Sequence, residues 1–544
     1  MKLLVSLALV VGLTFATAPA SAEPAGPADP GSNAPTLPPP AQEQAADQAL
    51  AALDRVQDLL AGGPATTSGG PADDLTLALR DLALVKEALP EEEQAEAERY
   101  FGRPTVPSSP DCEFITCYTA KAKRTCSQVI CVHWVRKSRD PHNGVRAADR
   151  DDDGVPNYVE RVRREMTKVH RTYVSSGYRA PLPDGGRGGN KRPDVYLAQL
   201  GDRGLYGYCT TDDPNPPASG GTWGYCVLDN DYSRREFPAH TPTQNMRVTA
   251  AHEYFHNIQF GYDFGEDNWF MEATATWAED VHYDKINDNA YYLRHGPIRE
   301  PGTPLDTFEG LYHYGAWIFF RYLTDRLGGE VGSMPDLVLR MWDLADAEQG
   351  PDQYSLQAVQ NVLVEEGTGI ADAFAAFANG NRRPQDTYAE EYVEVTEDPK
   401  EPQRFPRAPL AASVRLGAAD PSMSRSFQLD HLTSRTFRLK PADDVTGQDV
   451  RLTFDVNDLQ YGGRVVLTLK ENGAAPVSGP VALGNDGTGT WVHSFDAATV
   501  DWVEVTIVNG SDRMECWTDG PFSCQGDAID DDQPQALTAE LQPS

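Results

Sequence analysis

Two histidines four positions apart, His252 and His256, constrain the local structure of this chain more than any other short stretch. Residues with this spacing lie one above the other on a single face of an α-helix, so both imidazoles can reach one ion. Glu253 follows His252 on the helix, which places its carboxylate beside the open position of that ion. Because imidazole ligands favour zinc among the common metals, the pattern predicts a helix that carries part of a zinc site.

A third ligand is expected from the next helix, because catalytic zinc normally takes three protein ligands and leaves one position for water. That helix is predicted to begin near Asn268, and Glu272 lies on it, 16 positions after His256 (272 − 256). Apolar residues flank Glu272, where an unpaired carboxylate is costly unless it is neutralised or binds a cation. We therefore expect His252, His256 and Glu272 to bind zinc. The alternative is a pair of core histidines on an amphipathic helix.

The sequence here resembles the gluzincin class of zinc metallopeptidases, in which a HExxH helix is followed by a helix that supplies a glutamate, often in a Trp-x-x-Glu-Gly/Ala context. Residues 269–277 read Trp-Phe-Met-Glu-Ala-Thr-Ala-Thr-Trp. More narrowly, the chain is similar over about residues 130–377 to a family of secreted bacterial proteins regarded as metalloproteases. The matching segments are 154–160, 194–197, 205–208, 248–259, 269–277 and 314–317.

The resemblance implies that His252, His256 and Glu272 are zinc ligands and that Glu253 is the general base, the same four residues that the helical spacing selects. It also implies a zincin-like fold and hydrolysis of a peptide bond by a zinc-activated water, with a protein or peptide as the substrate. The sequence leaves two alternatives: a calcium-dependent extracellular binding protein with a non-catalytic zinc site, and a zinc hydrolase that acts on non-peptide bonds.

Two further roles do not follow from the HExxH motif itself: the residue that orients the first histidine, and the donor of a hydrogen bond to the oxyanion. Many gluzincins have an aspartate four residues after the glutamate ligand, and this chain has Thr276 there; Glu279 or Asp280 is expected to orient the first histidine instead. The oxyanion needs a donor besides the metal, and Tyr314 is the first candidate and His313 the second. Both can equally be packing residues at the start of the helix predicted over 316–327.

An acidic stretch at 149–160 matches the twelve-position calcium loop D-x-D-x-D-G-x-x-N-x-x-E. The expected oxygen ligands are Asp149, Asp151, Asp153, the carbonyl of Val155, Asn157 and Glu160, with Gly154 at the sharp turn. A helix is predicted to begin directly after the loop. The alternative is an acidic turn that caps this helix. Calcium here is expected to stabilise the chain and protect it from self-cleavage.

The N-terminal sequence predicts export. The apolar run 3–16 follows Lys2 and precedes Ala20-Ser21-Ala22, as in a secretory signal peptide that is cut after Ala22. No cysteine lies at the cleavage point, so the protein is expected to be secreted and released. The eight cysteines are then expected to be oxidised, with 209–226 and 516–524 bridges. Pairing among Cys112, Cys117, Cys126 and Cys131 stays open, and the lack of a CxxC pair argues against a zinc site there.

The whole chain is predicted to be of the α+β class: a zincin-like catalytic domain with a mixed β-sheet lobe and a helical lobe, then an antiparallel β-sandwich. The sandwich is expected to bind a surface or polymer ligand, or to be a passive stabilising module. The predicted segments are a signal peptide (1–22), a disordered leader (23–40), a helical leader or pro-region (41–110), the catalytic domain with the calcium loop (111–400), the sandwich (401–524) and an acidic disordered tail (525–544).

Composition excludes two classes of partner. The chain has 47 Lys+Arg and 81 Asp+Glu, so 47 − 81 gives a net charge of −34. Phosphate neutralisation needs a basic excess, which argues against nucleic-acid binding driven by overall charge. A hydrophobic share of 40% supports a packed core but not a polytopic membrane protein, so we expect no membrane insertion.

Overall fold

The structure, a computed structural model, describes residues 39–62, 75–104, 116–348, 352–388, 405–518, 520 and 522–544. The expected signal peptide at 1–22 and the leader at 23–40, apart from its last two residues, lie outside the described residues. Residues 1–44 and 45–544 form separate units, and the described part of the first is the opening of helix α1 (Pro39–Ala61). The contacts given below lie within residues 45–544.

Helices occupy the N-terminal segment and the middle of the chain. After α1 they run over Leu75–Val85 (α2), Glu91–Ala97 (α3), Asn157–Ser175 (α4), Pro242–Gln259 (α5), Asn268–Tyr283 (α6), Tyr312–Gly315 (α7), Trp317–Thr324 (α8), Leu337–Leu344 (α9), Leu356–Glu365 (α10), Ile370–Gly380 (α11) and Pro384–Thr387 (α12). The predicted helices of the leader, of 158–175 and of 243–381 are thus present. The leader at 41–110 is predicted to be either a pro-region or a structural appendage, and its described helices are α1–α3.

A mixed sheet precedes the helical lobe. Its strands are Lys123–Cys126 (β1), Cys131–Trp134 (β2), Asp194–Ala198 (β3), Gly207–Thr210 (β4) and Tyr225–Asp229 (β5), in the order β1-β2-β3-β5-β4. Strands β2, β3 and β5 are parallel, whereas β1 and β4 are antiparallel to their neighbours. Strand β4 therefore forms one edge of the sheet. Helix α5 packs against β4 and β5, which brings its histidines close to that edge.

The starts of α5 and α6 are fixed by their own capping residues. The side chain of Thr241 accepts a hydrogen bond from the backbone N–H of Gln244, and Oε1 of the Gln244 side chain accepts one from the backbone N–H of Thr241. The side chain of Asp267 likewise accepts from the backbone N–H of Trp269 at the start of α6. These local caps fix where each helix begins, and therefore which residues of the two helices face each other.

The C-terminal strands form two sheets around one core. After the small hairpin Glu330–Val331 (β6) and Met334–Pro335 (β7), they run over Ala412–Leu416 (β8), Ser422–Leu429 (β9), Thr433–Pro441 (β10), Gln448–Asp455 (β11), Gly463–Glu471 (β12), Val477–Pro480 (β13), Thr488–Ser494 (β14), Val500–Asn509 (β15), Met514–Glu515 (β16), Asp527–Ala528 (β17) and Gln533–Pro543 (β18). The sheets have the orders β13-β12-β15-β10-β8 and β14-β11-β18-β9. Residues of both sheets, such as Leu467 and Leu452, belong to a single buried cluster. The predicted sandwich is thus present.

Two details of the sandwich correct the prediction. Strand β8 pairs parallel with β10, so the sandwich is not purely antiparallel. The tail at 525–544 was expected to be disordered, but β18 lies between β11 and β9 and pairs with both. The acidic composition of this segment concealed an alternating pattern, in which Gln535, Leu537 and Ala539 face the core. The tail is therefore a central strand.

The structure combines helices with a mixed sheet and a sandwich, which confirms the α+β class. Disulfides join Cys126 to Cys131, Cys209 to Cys226 and Cys516 to Cys524, so both predicted bridges are present. Cys117 is also disulfide-bonded, and Cys112 lies outside the described residues. Disulfides persist in oxidising compartments, which favours an extracellular or periplasmic location. Within the described part of the chain, none of the helices has the length and apolar character that a bilayer span requires.

Candidate metal centre

Helices α5 and α6 bring the three predicted zinc ligands together. Nε2 of His252 lies 3.1 Å from Nε2 of His256. The two carboxylate oxygens of Glu272 lie 3.3 Å from these same nitrogens, Oε2 facing His252 and Oε1 facing His256. The side chains of His256 and Glu272 are fully buried, whereas His252 is partly open at 13% exposure. The donor atoms of the three side chains therefore converge on one point that is reached from the His252 side.

This arrangement fits a zinc ion. Zinc binds nitrogen and carboxylate ligands at about 2.0–2.2 Å, and ligand atoms around one tetrahedral ion are then roughly 3.4 Å apart. The observed separations of 3.1 and 3.3 Å agree with that spacing. Two imidazoles and one carboxylate are also a known donor set of catalytic zinc. Glu272 points toward the two rings, as the predicted ligand role requires.

A glutamine that the motif did not single out orients His256. Nδ1 of His256 donates a hydrogen bond to Oε1 of Gln259 at 2.7 Å. Nε2 of Gln259 in turn donates to the carbonyl of Met271 at 2.9 Å and to Oγ1 of Thr274 at 3.1 Å. This fixes the histidine tautomer that leaves Nε2 available to an ion. The contact between His256 and Gln259 could have been predicted from the sequence, because residues three apart on a helix are neighbours.

Of the two residues expected to orient His252, the structure brings one to it. Oε2 of Glu279 lies 3.7 Å from Nδ1 of His252. Asp280 instead pairs with Arg321 at 2.8 Å. Oγ1 of Thr276 is buried and, among the described residues, has no hydrogen-bond partner. Burial raises the pKa of Glu279 well above its ordinary value, and neighbouring carboxylates add to the shift.

Glu253 contacts a residue from the N-terminal segment. Its side chain is buried beside the two histidines, and Thr76 donates a hydrogen bond from Oγ1 to its Oε2 at 3.0 Å. The same hydroxyl accepts from the backbone N–H of Cys209 on the edge strand β4 at 2.9 Å. Burial raises the pKa of Glu253, while the charges of the histidines oppose the shift. Thr76 thus bridges the predicted general base and the sheet edge.

The space in front of Glu253 is small. A cavity of about 50 Å³ is bordered by His252, Glu253 and Tyr314, and helix α2 closes it through Leu75. A space of this size holds a few water molecules at most. A peptide cannot enter it while α2 is in this position.

A larger groove of about 1040 Å³ lies elsewhere, between α11 and strands β12 and β13. Two of its arginines already pair with carboxylates: Arg464 lies 2.5 Å from Asp372, and Arg383 lies 3.3 Å from Glu504. We therefore place the candidate site at the histidines and not in this groove.

The two candidate oxyanion donors have different surroundings. Tyr314 lines the small cavity, stacks on Tyr292 at a centroid distance of 4.9 Å, and its ring centroid lies 6.1 Å from that of His252. His313 is buried between Phe308 and Tyr314, at 4.3 and 4.4 Å. Burial lowers the pKa of His313 to about 4, so it is neutral at pH 7. The arrangement favours Tyr314 as the donor and His313 as a packing residue.

The acidic loop at 149–160 contains part of the predicted calcium arrangement. Asp149, Asp151 and Asp153 each offer one carboxylate oxygen within 4.8 Å of the others. Gly154 has a φ of +87°, which agrees with the sharp turn expected at this position. The predicted helix α4 begins at Asn157. Desolvation, then the charge of Asp153 and a smaller effect of Glu160, raise the pKa of Asp151.

The remaining features of the loop fit either interpretation. The backbone N–H of Gly154 donates to Oδ2 of Asp149 at 2.9 Å, and that of Val155 donates to Oδ1 of Asp153 at 2.8 Å. Such bonds also occur in an acidic turn that caps a helix. Calcium binding by this loop, through the three aspartates, Val155, Asn157 and Glu160, remains a proposal.

Comparisons with known proteins add no function. No protein-family model matches the chain, and no curated protein matches it. Solved structures with some likeness include PliG, a periplasmic inhibitor of g-type lysozyme from Salmonella Typhimurium, at 11% identity over 24% of this chain and 99% of that one, with a TM-score of 0.15.

Two others are CorA, a surface-associated copper-binding protein of Methylomicrobium album BG8, and BtGH115A, a family GH115 4-O-methyl-α-glucuronidase. CorA is 10% identical over 25% of this chain and 100% of its own, with a TM-score of 0.14. BtGH115A is 11% identical over 56% of this chain and 38% of its own, with a TM-score of 0.13. At these TM-scores, none of the three supports an argument about fold or function.

Proposed function

We propose that this chain is a secreted zinc-dependent endopeptidase with a zincin-like catalytic domain. The observation that carries the proposal is the convergence of His252, His256 and Glu272 on one point, with Glu253 beside it on the same helix. When bound, zinc would lower the pKa of a water molecule and polarise the scissile carbonyl. The acidic loop at 149–160 would hold the stabilising calcium.

The chain's own residues supply the proton transfers in this proposal. Glu253 accepts the proton of the attacking water and passes it to the leaving amine nitrogen. Tyr314 donates a hydrogen bond to the oxyanion from the edge of the same cavity. Gln259 orients the imidazole of His256 through a hydrogen bond, and Glu279, 3.7 Å from Nδ1 of His252, is the residue that we propose to orient the second imidazole.

The edge strand β4 is the proposed binding strand for the substrate backbone. Among the described residues no further strand pairs with its outer edge, and extended peptides add to such edges through backbone hydrogen bonds. Gly207 on β4 approaches the base so closely that a Cβ there would come within 2.9 Å of Cγ of Glu253. The N–H of Cys209 on this strand already makes a hydrogen bond with Thr76. A peptide along β4 would therefore pass in front of Glu253.

For the segment 41–110, we propose the role of an inhibitory pro-region. Helix α2 closes the cavity with Leu75 and places the hydroxyl of Thr76 on the general base. It thus occupies the space that a substrate on β4 would need.

Two buried arginines attach this segment to the rest of the chain. Arg80 donates to the carbonyls of Phe264 at 3.1 Å and Glu266 at 2.6 Å, next to the start of α6. Arg103 contacts three carboxylates, those of Asp184 at 3.0 Å, Asp194 at 2.7 Å and Asp212 at 2.7 Å. Tethering by charge-assisted hydrogen bonds of this kind keeps α2 over the site until the segment is removed.

The test removes the segment 41–110 from the purified chain by cleavage with an added protease. A recognition sequence for a specific protease replaces residues 105–110, and the purified chain is then cut and separated from its N-terminal part. Zinc content is measured by mass spectrometry, and cleavage of a peptide library is followed with and without a chelator. The matched control is Glu253→Gln with the same insertion. We expect one zinc per chain in both proteins, and hydrolysis only by the cut chain with Glu253.

The outcomes distinguish the alternatives. Zinc binding without peptide or casein cleavage after cutting would indicate the calcium-dependent binding protein, which the closed cavity also allows. Hydrolysis of a nitrophenyl ester without peptide cleavage would indicate a zinc hydrolase of non-peptide bonds. If the cut Glu253→Gln control hydrolyses the peptides as fast as the cut chain with Glu253, then Glu253 is not the general base.

A further inference from the structure

A second group of carboxylates lies in the loop that joins the two helices of the metal centre. Asp263 and Glu266 belong to this loop, between α5 and α6, and Asp352 approaches it from the segment before α10. Each offers one carboxylate oxygen within 4.8 Å of the other two. An ion that binds oxygen at about 2.3–2.6 Å holds its ligand atoms up to roughly 5 Å apart. We infer that this cluster binds a calcium ion, separate from the loop at 149–160.

The strongest support comes from two carboxylate oxygens that lack hydrogen bonds. Oδ1 of Asp263 accepts from the backbone N–H groups of Gly220 and Gly265, both at 3.0 Å. Oε1 of Glu266 accepts from the N–H of Asp267 at 2.6 Å and from that of Ser355 at 3.1 Å.

The second oxygens, Oδ2 of Asp263 and Oε2 of Glu266, are buried and have no hydrogen-bond partner among the described residues. The two side chains are 1% and 0% exposed, so bulk water does not solvate them. A buried carboxylate oxygen without a partner is costly, and a cation is the ligand that satisfies two of them at once.

A neighbouring arginine does not fill this role. Arg80 reaches the same loop, but its Nη1 donates to the carbonyl oxygens of Phe264 and Glu266 and not to the free carboxylate oxygens. A fourth acid, Asp267, adds to the negative charge and is held by the hydroxyl of Ser355 at 2.5 Å. The local charge therefore remains negative with Arg80 in place.

The donor set selects calcium. The cluster offers only oxygen atoms, which hard cations prefer, and no imidazole or thiolate that would favour zinc. Asp352 is exposed, so it leaves room for water ligands and a path of entry. Calcium tolerates such an irregular shell of protein and water oxygens, whereas magnesium demands a near-ideal octahedron.

The position of the site gives it a structural role. The loop begins just after Gln259, which orients His256, and ends at Asp267, which caps the helix that carries Glu272. An ion that bridges Asp263 and Glu266 would fix the two helix ends relative to each other. This inference depends on neither the peptidase proposal nor the presence of zinc.

The experiment is equilibrium dialysis of the full chain against calcium. The variants are Asp263→Asn/Glu266→Gln for this cluster and Asp151→Asn/Asp153→Asn for the predicted loop. We expect the cluster variant to bind one calcium fewer than the wild type, and the loop variant to serve as a matched control that retains this site. An unchanged number of bound ions in the cluster variant overturns the inference.

A second variant covers the case in which the double amide variant does not fold. Asp352→Asn changes an exposed residue, so the fold should persist, and we expect calcium to bind this site at least tenfold more weakly in a dialysis titration. Equal affinity in Asp352→Asn and the wild type would also overturn the inference. The melting temperature of each variant in chelator shows whether it is folded. It is compared with the melting temperature of the loop variant, Asp151→Asn/Asp153→Asn.

Discussion

The hydroxyl oxygen of Thr76 lies 3.0 Å from Oε2 of Glu253 and donates a hydrogen bond to it, across 177 positions of sequence. The same oxygen accepts from the backbone of Cys209. One hydroxyl thus makes contact with both the proposed general base and the strand on which a substrate would lie. In the proposed enzyme, helix α2 therefore controls access to the general base, because any substrate must displace α2 to reach Glu253.

Thr76→Val should loosen this contact. The substitution keeps the shape of the side chain but leaves the N–H of Cys209 and a carboxylate oxygen of Glu253 without their partner. An unpaired buried group costs about 1–3 kcal/mol, and each 1.4 kcal/mol is a factor of ten in an equilibrium. Peptide hydrolysis by the uncut chain should therefore rise about tenfold, with faster hydrogen exchange in α2.

Thr538→Val, in the sandwich, is the matched control and should leave both measurements unchanged. If exchange in α2 and basal hydrolysis stay at the wild-type level in Thr76→Val, the hydroxyl does not hold the helix over the site.

Gln259→Leu should weaken zinc binding. The change removes the acceptor at Nδ1 of His256, which lies 2.7 Å from Oε1 of Gln259. Loss of such an outer partner typically costs 10- to 100-fold in metal affinity. Competition with a chromogenic chelator would measure the effect on the full chain.

Gln259→Glu keeps an oxygen acceptor at this position and should retain most of the affinity. Identical chelator competition by the wild type and Gln259→Leu would show that the hydrogen bond from His256 to Gln259 does not contribute to zinc affinity.

The sequence predicted the centre of the site but not the contacts around it. The proposed ligands follow from helical spacing at His252 and His256 and from the second helix at Glu272, and both are local patterns. The contact of Thr76 with Glu253 depends on how distant segments pack, and no local spacing encodes it. Similarly, Asp352 joins Asp263 and Glu266 only in the folded chain.

The fold shows the same division between local and long-range information. Helix periodicity and strand alternation predicted α4 and the strands around Leu452 and Leu467, because one face of each element is buried. Strand β18 was missed, since its acidic neighbours dominate the composition of the last 20 residues. Leu537 and Ala539 carry the alternation, and pairing with both β9 and β11 stabilises the strand.

Stability should depend on pH through His431, at the contact between the sandwich and the segment that carries Asp306. Burial by itself lowers the pKa of this imidazole, but Asp306 at 2.8 Å and Asp531 at 2.6 Å outweigh it and raise the pKa to about 10. A folded-state pKa above the unfolded value of about 6.5 stabilises the fold fully below pH 6.5, and this contribution is lost as pH rises toward 10.

The wild type should therefore lose melting temperature between pH 6.5 and 10 relative to His431→Gln, which has no titrating group there. Calorimetric scans of both proteins at pH 6, 8 and 10 would measure the difference. A constant difference across this range would contradict the assignment of the charged imidazole to this contact.

The acidic cluster between α5 and α6 predicts a second pH effect, which calcium should abolish. Burial raises the pKa of Asp263 to about 6 and that of Asp267 to about 7, and it raises the pKa of Glu266 well above its ordinary value. Acids with raised pKa values bind more protons in the folded state, so stability in chelator should fall as pH rises from about 5 to 7.5.

Calcium binds the ionised oxygens and should restore the melting temperature at pH 7.5 but have little effect at pH 5. Asp263→Asn/Glu266→Gln, which removes two of these carboxylates, should melt at or above the wild type in chelator at pH 7.5 and below it in calcium. A wild-type melting temperature that rises with pH in chelator would contradict this account, because the carboxylates would then have partners other than a cation.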